Sequence, residues 1–311
     1  MAVDLLDAPL RLSWDIASDQ LNADQLQQIA RQLLDAGVFF VTLEAEPLQH
    51  PAVLPLLETL TTGGCQLSLV LKGKKDEFEL LESIPKSVSL YLDCATAIVD
   101  GQLNLSRLTQ RLEQLRKAEF APLLLWVPRR GELPFILDLL DFCAAEKVDC
   151  FKLPNQKIGV NADLYRSFLP DCNDLEKLAA LVSSSGVPQI ANLQLEVHDL
   201  FLWELLQPLS GGSRSEYGGC QAANSLGYID KYGQLFPCAS WPQPLGDLLQ
   251  ENLLDLWQSQ LRLQIRQQIA EIPVGCEGCR DYEICYGGCR GLSSFCRDDG
   301  LKRDLLCSSQ R

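Results

Sequence analysis

The sequence lacks three features that would each assign it to a broad class of protein. Its 311 residues contain no apolar run near the ~18 residues that a membrane-spanning helix needs. They carry 27 Lys and Arg against 41 Asp and Glu, so a basic surface for nucleic acid is not expected. The N-terminal stretch Met-Ala-Val-Asp-Leu-Leu-Asp has neither the basic nor the apolar region of a signal peptide. We therefore expect a cytoplasmic protein without a membrane or nucleic-acid partner.

Common catalytic motifs are missing as well. The two histidines, His50 and His198, are isolated in the sequence and make neither a ligand set nor a catalytic triad. There is no Walker loop, no Gly-x-Gly-x-x-Gly turn and no Gly-x-Ser-x-Gly elbow. Arg129-Arg130 is either a site for an anionic group or, more simply, a solvated pair. The sequence predicts no catalytic residue, and it leaves open whether the chain is an enzyme.

Charge and composition divide the chain near residue 212. The first 212 residues hold 17 Lys and Arg against 29 Asp and Glu, whereas the remainder holds 10 against 12. The clearest linker is Ser210-Gly211-Gly212-Ser213. We therefore predict an acidic N-terminal domain over residues 1–212 and a nearly neutral C-terminal domain over residues 213–311.

The first 160 residues alternate between strand-like and helix-like segments. The apolar segments that predict strands are Leu10–Ala17, Val38–Leu43, Cys65–Leu71, Val88–Asp93, Leu123–Val127 and Val148–Leu153. The helical segments between them are Asn22–Ala36, Pro51–Leu60, Glu77–Ser83, Leu105–Ala118 and Leu133–Glu146. Near-continuous apolar strands with short connections are typical of a parallel sheet covered by helices. The predicted class is therefore α/β, with six units forming a partial (β/α)6 barrel.

The pattern is less regular after residue 155. Leu175–Ser184 reads as a helix, and the apolar stretch Leu193–Leu206 as a second one. Tyr228–Asp230 and Leu235–Pro237 flank a turn and predict a hairpin. Leu248–Ile269 is expected to be a single helix that leads into the cysteine-rich C-terminus.

Thirteen cysteines in a protein of a reducing compartment indicate metal or redox chemistry more than disulfides. The spaced ones are Cys220, Cys238, Cys276, Cys279, Cys285, Cys289 and Cys307, with Gly233 five residues before Cys238. Thiolates on short glycine-flanked loops are soft metal ligands. The alternative interpretations are a pair of zinc sites and, if the protein were exported, a disulfide framework. The cysteines without motif spacing are expected to be buried thiols, and they are Cys65, Cys94, Cys143, Cys150 and Cys172.

The seven-cysteine pattern resembles the SPASM domain, the auxiliary-cluster extension of radical SAM enzymes that modify peptides and proteins. The resemblance implies two [4Fe–4S] clusters in a small α+β domain. By position, one would be held by Cys276, Cys279, Cys285 and Cys307, and the other would take three ligands from Cys220, Cys238 and Cys289. Fully ligated relatives supply the remaining ligand from a cysteine just before the first motif cysteine, but Arg214–Gly219 contains none. The fourth iron of that cluster is open, bound by a group other than cysteine, or reached by Cys296.

The N-terminal part is similar to the radical SAM barrel, with informative departures. Glu44-Ala45-Glu46-Pro47 stands where that family has a Gly-Gly-Glu-Pro loop. Only Glu46 matches the family's acid, and it reads equally well as a solvated loop residue. The Cys-x3-Cys-x2-Cys loop that follows the first strand of the family is missing, since no cysteine precedes Cys65. The resemblance therefore implies a degenerate barrel that does not cleave S-adenosylmethionine and is not expected to bind it.

Such chains resemble the companion SPASM proteins of GeoRSP-type peptide-maturation systems. The resemblance implies an accessory iron–sulfur subunit that relays electrons or holds the substrate. Its expected partners are a complete radical SAM/SPASM enzyme and a peptide substrate or peptide chaperone. Two alternatives stay open: an enzyme that uses the incompletely ligated auxiliary cluster, and a structural scaffold whose metal only folds the C-terminal domain.

Overall fold

The computed structural model describes residues 5–159, 164–188, 190, 192–206, 218–296 and 300–308. The strands of the main sheet are β1 (Arg11–Ile16), β2 (Phe40–Ala45), β3 (Gln66–Leu71), β4 (Ser89–Asp93), β7 (Leu123–Leu125), β8 (Cys150–Leu153), β9 (Gln194–Val197), β10 (Leu226–Ile229), β11 (Gln234–Phe236) and β12 (Gly246–Asp247). A separate two-stranded ribbon is formed by β5 (Ile98–Val99) and β6 (Gln102–Leu103). The helices are α1 (Ala23–Asp35), α2 (Val53–Thr62), α3 (Lys75–Glu79), α4 (Leu105–Lys117), α5 (Phe135–Glu146), α6 (Cys172–Ser185), α7 (Leu200–Leu206), α8 (Leu253–Trp257), α9 (Gln260–Ala270), α10 (Tyr282–Cys285) and α11 (Arg290–Phe295).

The main sheet has ten strands in the order β12-β11-β10-β1-β2-β3-β4-β7-β8-β9. Every pair from β10 through β1 to β9 is parallel, and only β10-β11 and β11-β12 are antiparallel. The predicted α/β class, a partial barrel followed by a cysteine-rich region, is confirmed. None of the described helices combines the length and apolar content needed to cross a membrane.

Helices α1, α2, α4 and α5 cover one face of the sheet because each presents an apolar row. In α1 the buried residues Leu26, Ile29 and Leu33 recur at helical spacing. A capping box between Asn22 and Gln25 starts this helix, and Gly37 follows it with φ +70°. The main hydrophobic core therefore lies between the helices and the outer face of the strands.

The inner face of the barrel is different in character. Its small apolar cluster of Val70, Tyr91, Leu123, Leu125 and Cys150 is separate from the main core. Charged side chains lie closer to the carboxyl ends of the strands, the end at which α/β barrels carry their sites.

Two predicted helices are divided in the structure. Leu193–Leu206, read from the sequence as a helix, contains strand β9 and then helix α7, which Asp199 caps through the amides of Phe201 and Leu202. Leu248–Ile269 contains α8 and α9, and the second follows its N-cap Ser259, whose Oγ accepts from the amide of Arg262. Both interruptions are made by polar side chains that cap the next helix.

The predicted hairpin is present as β10 and β11, and it extends the barrel sheet. Strand β10 pairs in parallel with β1, so that Arg11 lies opposite Leu226. The predicted linker, Ser210–Ser213, and the domain boundary at 212/213 lie outside the described residues. The division into two domains therefore stays a prediction.

Candidate metal centre

Four of the predicted ligands surround one cavity. Cys276 ends a 3-10 turn (Val274–Cys276), Cys285 ends α10, and Cys279 and Cys307 lie in loops. All four line a cavity that Phe201 of α7 also borders. Cys276 and Cys285 are buried, whereas Cys279 and Cys307 are half-buried. The structure thus brings together the four cysteines that the sequence pattern assigns to one cluster.

Glycines allow the chain to close around this cavity. A Cβ on Gly275 would lie 2.8 Å from the carbonyl oxygen of Leu301, which belongs to the segment leading to Cys307. After Cys285 the chain passes through Tyr286, Gly287 and Gly288, all with positive φ. Glycine tolerates such contacts and conformations best, so Gly275, Gly287 and Gly288 allow this close approach.

Burial and neighbouring thiols both oppose ionisation of Cys276 when no metal is present. The pKa of Cys276 is raised to about 11 by burial, and then by the neighbouring Cys285, Cys307 and Cys279. Arg290 acts in the opposite direction on the same pKa. A bound cation or cluster would reverse the balance, since thiolates are the metal-binding form.

Arg290 also ties the cysteine region to the preceding helix. Its guanidinium donates to the carbonyl oxygens of Ile269 and Glu271 at 3.0 and 2.8 Å. The residue is 4% exposed. The guanidinium therefore satisfies carbonyls at the end of α9 and at the same time places positive charge beside Cys276.

The other three predicted ligands form a second group. The pKa of Cys238 is raised by burial and by Cys220, and that of Cys289 is raised by burial, Cys220, Asp304 and Cys238. The loop that carries Cys220 is held by Arg266, which donates to the carbonyl oxygens of Cys220 and Ala222 at 2.7 and 2.8 Å. Cys238 and Cys289 thus both respond to Cys220, and the carboxylate of Asp304 accepts a hydrogen bond of 2.6 Å from the amide of Cys289.

Both sets have the donor chemistry of iron–sulfur ligation. Four thiols border one cavity, and three thiols lie near one another and a carboxylate. Among the described residues, no three His, Cys, Asp or Glu side chains form a group that could hold a single metal ion. The thiols are of the donor type that iron–sulfur clusters require, and we treat the clusters below as a proposal.

The remaining singled-out residues have local roles. Cys65, Cys94, Cys143 and Cys150 are buried thiols, and Cys172 is half-buried. His50 is buried, with its ring nitrogens bonded to the carbonyl of Leu21 and the amide of Ala52. Arg130 donates to the carbonyls of Leu169 and Arg166 and lies 3.7 Å from Asp171, so it braces a loop. Cys296 packs in a small apolar cluster that also contains Ile158, Leu169 and Leu292.

A charged network at the mouth of the barrel was not anticipated from the sequence. The Lys157 ammonium, beyond β8, pairs with Asp15 at the end of β1 and lies 2.9 Å from Glu44 Oε2 at the end of β2. The hydroxyl of Tyr228 on β10 donates to Asp15 at 2.6 Å. The register pairs Asp15 with Glu44, so two acids at neighbouring strand ends were a usable signal. Lys157 is too distant in sequence to have been paired with them.

At the end of β2 an alanine adopts a backbone conformation that is more typical of glycine. Ala45 has φ +67°, a conformation that non-glycine residues adopt at a cost of about 1–2 kcal/mol. Glu46, the predicted match to the family's acid, pairs with Lys74 at 2.6 Å, and both side chains are close to half exposed. Both loop acids, Glu44 and Glu46, are thus paired with lysines of this chain.

No protein-family model matches the chain, and no curated protein matches its sequence. Solved structures with a similar fold include SuiB of Streptococcus suis bound to the precursor peptide SuiA, with a TM-score of 0.72 and 19% identity over 98% of this chain and 77% of that one. SuiB bound to S-adenosylmethionine has a TM-score of 0.66 and 19% identity over 98% of this chain and 79% of that one. Native anSMEcpe with bound AdoMet has a TM-score of 0.63 and 14% identity over 96% of this chain and 94% of that one. At these identities the comparison establishes a shared fold: the chain is built like proteins solved with S-adenosylmethionine or a peptide bound.

Proposed function

We propose that the chain is an accessory iron–sulfur subunit of a cytoplasmic peptide-modifying radical SAM system. In this proposal it carries two [4Fe–4S] clusters, cleaves no S-adenosylmethionine itself, and relays electrons or holds the peptide for a complete radical SAM/SPASM partner. When bound, such clusters supply one-electron transfer. The rest of the proposal concerns what this chain's own residues do.

The observation that carries the proposal is the paired network at the barrel mouth. In the sequence comparison, Glu44 stands at a glycine of the loop that approaches S-adenosylmethionine in the radical SAM family. Its carboxylate is 2.9 Å from Lys157 Nζ, and the same ammonium pairs with Asp15. The side chains of Lys157, Asp15 and Glu44 are only 29%, 19% and 20% exposed. A ligand amine or carboxylate at this place would have to break internal pairs, which favours a barrel that leaves the chemistry to a partner.

The cysteine geometry supports the metal-binding half of the proposal. Thiols that border a common cavity need no large rearrangement to ligate a cluster, and Cys279 and Cys307 bring that cavity near the surface. A cluster near the surface suits exchange of electrons with another protein. The fold shared with SuiB, whose structure was solved with the precursor peptide SuiA, supports a peptide as the other ligand.

The test uses the full-length chain after anaerobic reconstitution. We expect about eight iron and eight sulfide per chain, as two four-iron clusters require. With dithionite and S-adenosylmethionine the protein alone should form no 5′-deoxyadenosine above the background of free cluster. Stoichiometric zinc without sulfide would overturn the metal assignment.

The barrel half of the proposal has a separate readout. S-adenosylmethionine should give no heat in calorimetry with the reconstituted chain, while a complete radical SAM enzyme serves as the positive control. Turnover of S-adenosylmethionine by the pure chain would reject the accessory role and leave the cluster assignment intact.

A further inference from the structure

We propose that a cavity at the carboxyl ends of β7 and β8 holds one aliphatic side chain, of about the size of leucine, from the peptide that this chain binds. This inference rests on the peptide-holding role proposed above, and it adds the place and the kind of side chain. Among the described residues, no predicted cluster ligand lines this cavity.

The first observation is the position of the cavity. Val127 and Leu153 border it from the ends of β7 and β8, and Leu202 borders it from α7. Leu292 of α11 and Leu306 border it from the cysteine-rich part of the chain. The carboxyl ends of the strands are where α/β barrels bind their ligands. The cavity therefore lies at the functional end of the barrel, next to the region of the proposed clusters.

The second observation is its size. The cavity has a volume of about 50 Å³. One water-sized group needs roughly 10–15 Å³ of such space, so the cavity has room for about three to five groups. This number is close to the carbon count of a leucine side chain. The cavity thus fits one aliphatic side chain and is too small for an indole ring.

The third observation is the chemistry of the lining, which is mostly apolar. Its two acids already accept hydrogen bonds. Asp199 Oδ1 accepts from the amides of Phe201 and Leu202 at 2.9 and 3.0 Å, and the Asp304 carboxylate accepts from two backbone amides. An apolar occupant leaves these bonds intact, whereas a cationic side chain would lose its hydration among apolar walls.

The fourth observation is a polar group that has no partner. Asn155, two residues beyond β8, also borders the cavity. Its Nδ2 is buried and has no hydrogen-bond partner in the described part of the chain. A buried donor without a partner is unfavourable, and the carbonyl oxygen of a bound peptide would satisfy it. A peptide supplies both a side chain for the cavity and a main-chain carbonyl beside it.

The test uses the full-length chain after anaerobic reconstitution and the probe N-acetyl-photoleucine amide, a leucine derivative with a photoreactive diazirine in its side chain. After irradiation, mass spectrometry of the digest should find the label on residues 127–128, 153–156 and 304–306, which border the cavity. An excess of N-acetylleucinamide should suppress the labelling. The alanine, tryptophan and lysine derivatives should not, because they are too small, too large and charged, respectively.

Three variants sharpen the test. Val127→Phe should abolish the labelling because its ring fills the cavity, and its resistance to urea should not fall, since filling an apolar space adds contacts. Val99→Phe is the matched control, at a site that is 48% exposed on the ribbon of β5 and β6, and should be labelled like the wild type. Asn155→Leu should weaken the labelling about 2- to 10-fold, the contribution of one hydrogen bond.

The wild-type map decides the proposal by itself if Val127→Phe does not fold. Absence of label from the three segments would overturn it, as would suppression by the tryptophan or lysine derivative, or full labelling of a folded Val127→Phe. Iron and sulfide content of the same sample tests the proposed function separately. A labelled cavity in a chain that takes up no iron would reject the iron–sulfur role and leave the side-chain site standing.

Discussion

The partial barrel and the cysteine-rich segment between residues 272 and 308 bury different kinds of side chain. The barrel core is a continuous apolar cluster that includes fully buried Trp14, Leu57 and Phe151. In the cysteine-rich segment the buried groups include Arg290, Ser293 and Asp304, and the helices α10 and α11 have only four and six residues. Helices of this length are not stable by themselves. The comparison indicates that hydrophobic burial stabilises the barrel, and it predicts that the proposed clusters stabilise the cysteine-rich segment.

The largest expected effect separates these two sources of stability. Cys279→Ala removes one of four proposed ligands and should cost about four of about eight irons. Because metal binding and folding are coupled in small metal domains, the amides of residues 276–289 should lose hydrogen-exchange protection while those of β1–β4 do not. Iron analysis and hydrogen-exchange mass spectrometry measure the two effects.

Cys94→Ala is the matched control, since Cys94 is a fully buried thiol of the barrel. It should keep all its iron and lower only the free energy of unfolding. If both cysteine variants lost iron, or if neither did, the distinction between barrel and cysteine-rich segment would fail.

The next effect belongs to the barrel core. Leu57→Ala opens a cavity under α2, where Leu57 is fully buried, and should lower the free energy of unfolding by about 2–5 kcal/mol. The iron content should not change. Leu181→Ala, at a site that is 40% exposed, should cost well under about 1 kcal/mol in the same urea titration. An equal loss in both variants would show that α2 does not belong to a packed core.

The barrel was easier to predict than the cysteine region because its signals are local. Apolar runs such as Cys65–Leu71 and Leu123–Val127 overlap strands β3 and β7. Strand β9 was missed because Gln194-Leu195-Glu196-Val197 is short and adjoins α7, so the apolar residues of both merged into one helical pattern. Local periodicity cannot show that a cap such as Asp199 divides the two.

The resemblance to the SPASM pattern implied which thiols group together, and the other contacts of these thiols depend on the tertiary fold. Cys276 and Cys307 are separated by 30 residues, yet a spaced motif relates them without a structure. Asp304 belongs to no spaced motif, and nothing in its sequence neighbourhood shows that it contacts Cys289. Lys157 is similar, since its partner Asp15 lies 142 residues away.

A smaller effect tests the barrel mouth. Lys157→Met leaves two partly buried carboxylates without their cation and should lower the free energy of unfolding by about 1–3 kcal/mol, the low end reflecting partial exposure. Lys75→Met is the control, because that side chain is 88% exposed and should change stability by less than about 0.5 kcal/mol. An unchanged stability of Lys157→Met would mean that the network contributes nothing to the free energy of unfolding.

The same variant has a defined dependence on pH. Burial lowers the pKa of Lys157, but Glu44 and Asp15 raise it by more, so its net pKa is raised. A raised lysine pKa stabilises the folded chain below the unfolded value of about 10.4, and this contribution is lost as pH rises through the folded pKa. The stability difference between wild type and Lys157→Met should thus be constant from pH 7 to 9 and shrink above about pH 10.4. Urea titrations across this range would contradict the assignment if the difference grew.

The smallest effect concerns the glycine-like loop. Ala45 has φ +67°, so Ala45→Gly should relieve about 1–2 kcal/mol of backbone strain while adding about 0.5–1 kcal/mol of unfolded-state entropy. The net gain in the free energy of unfolding should lie between about 0 and about 1.5 kcal/mol. Ala36→Gly, where φ is −79°, should instead lower stability, because no strain is relieved there. If Ala45→Gly also gained affinity for S-adenosylmethionine, the Cβ of Ala45 rather than the Lys157 network would be what prevents binding at the barrel mouth.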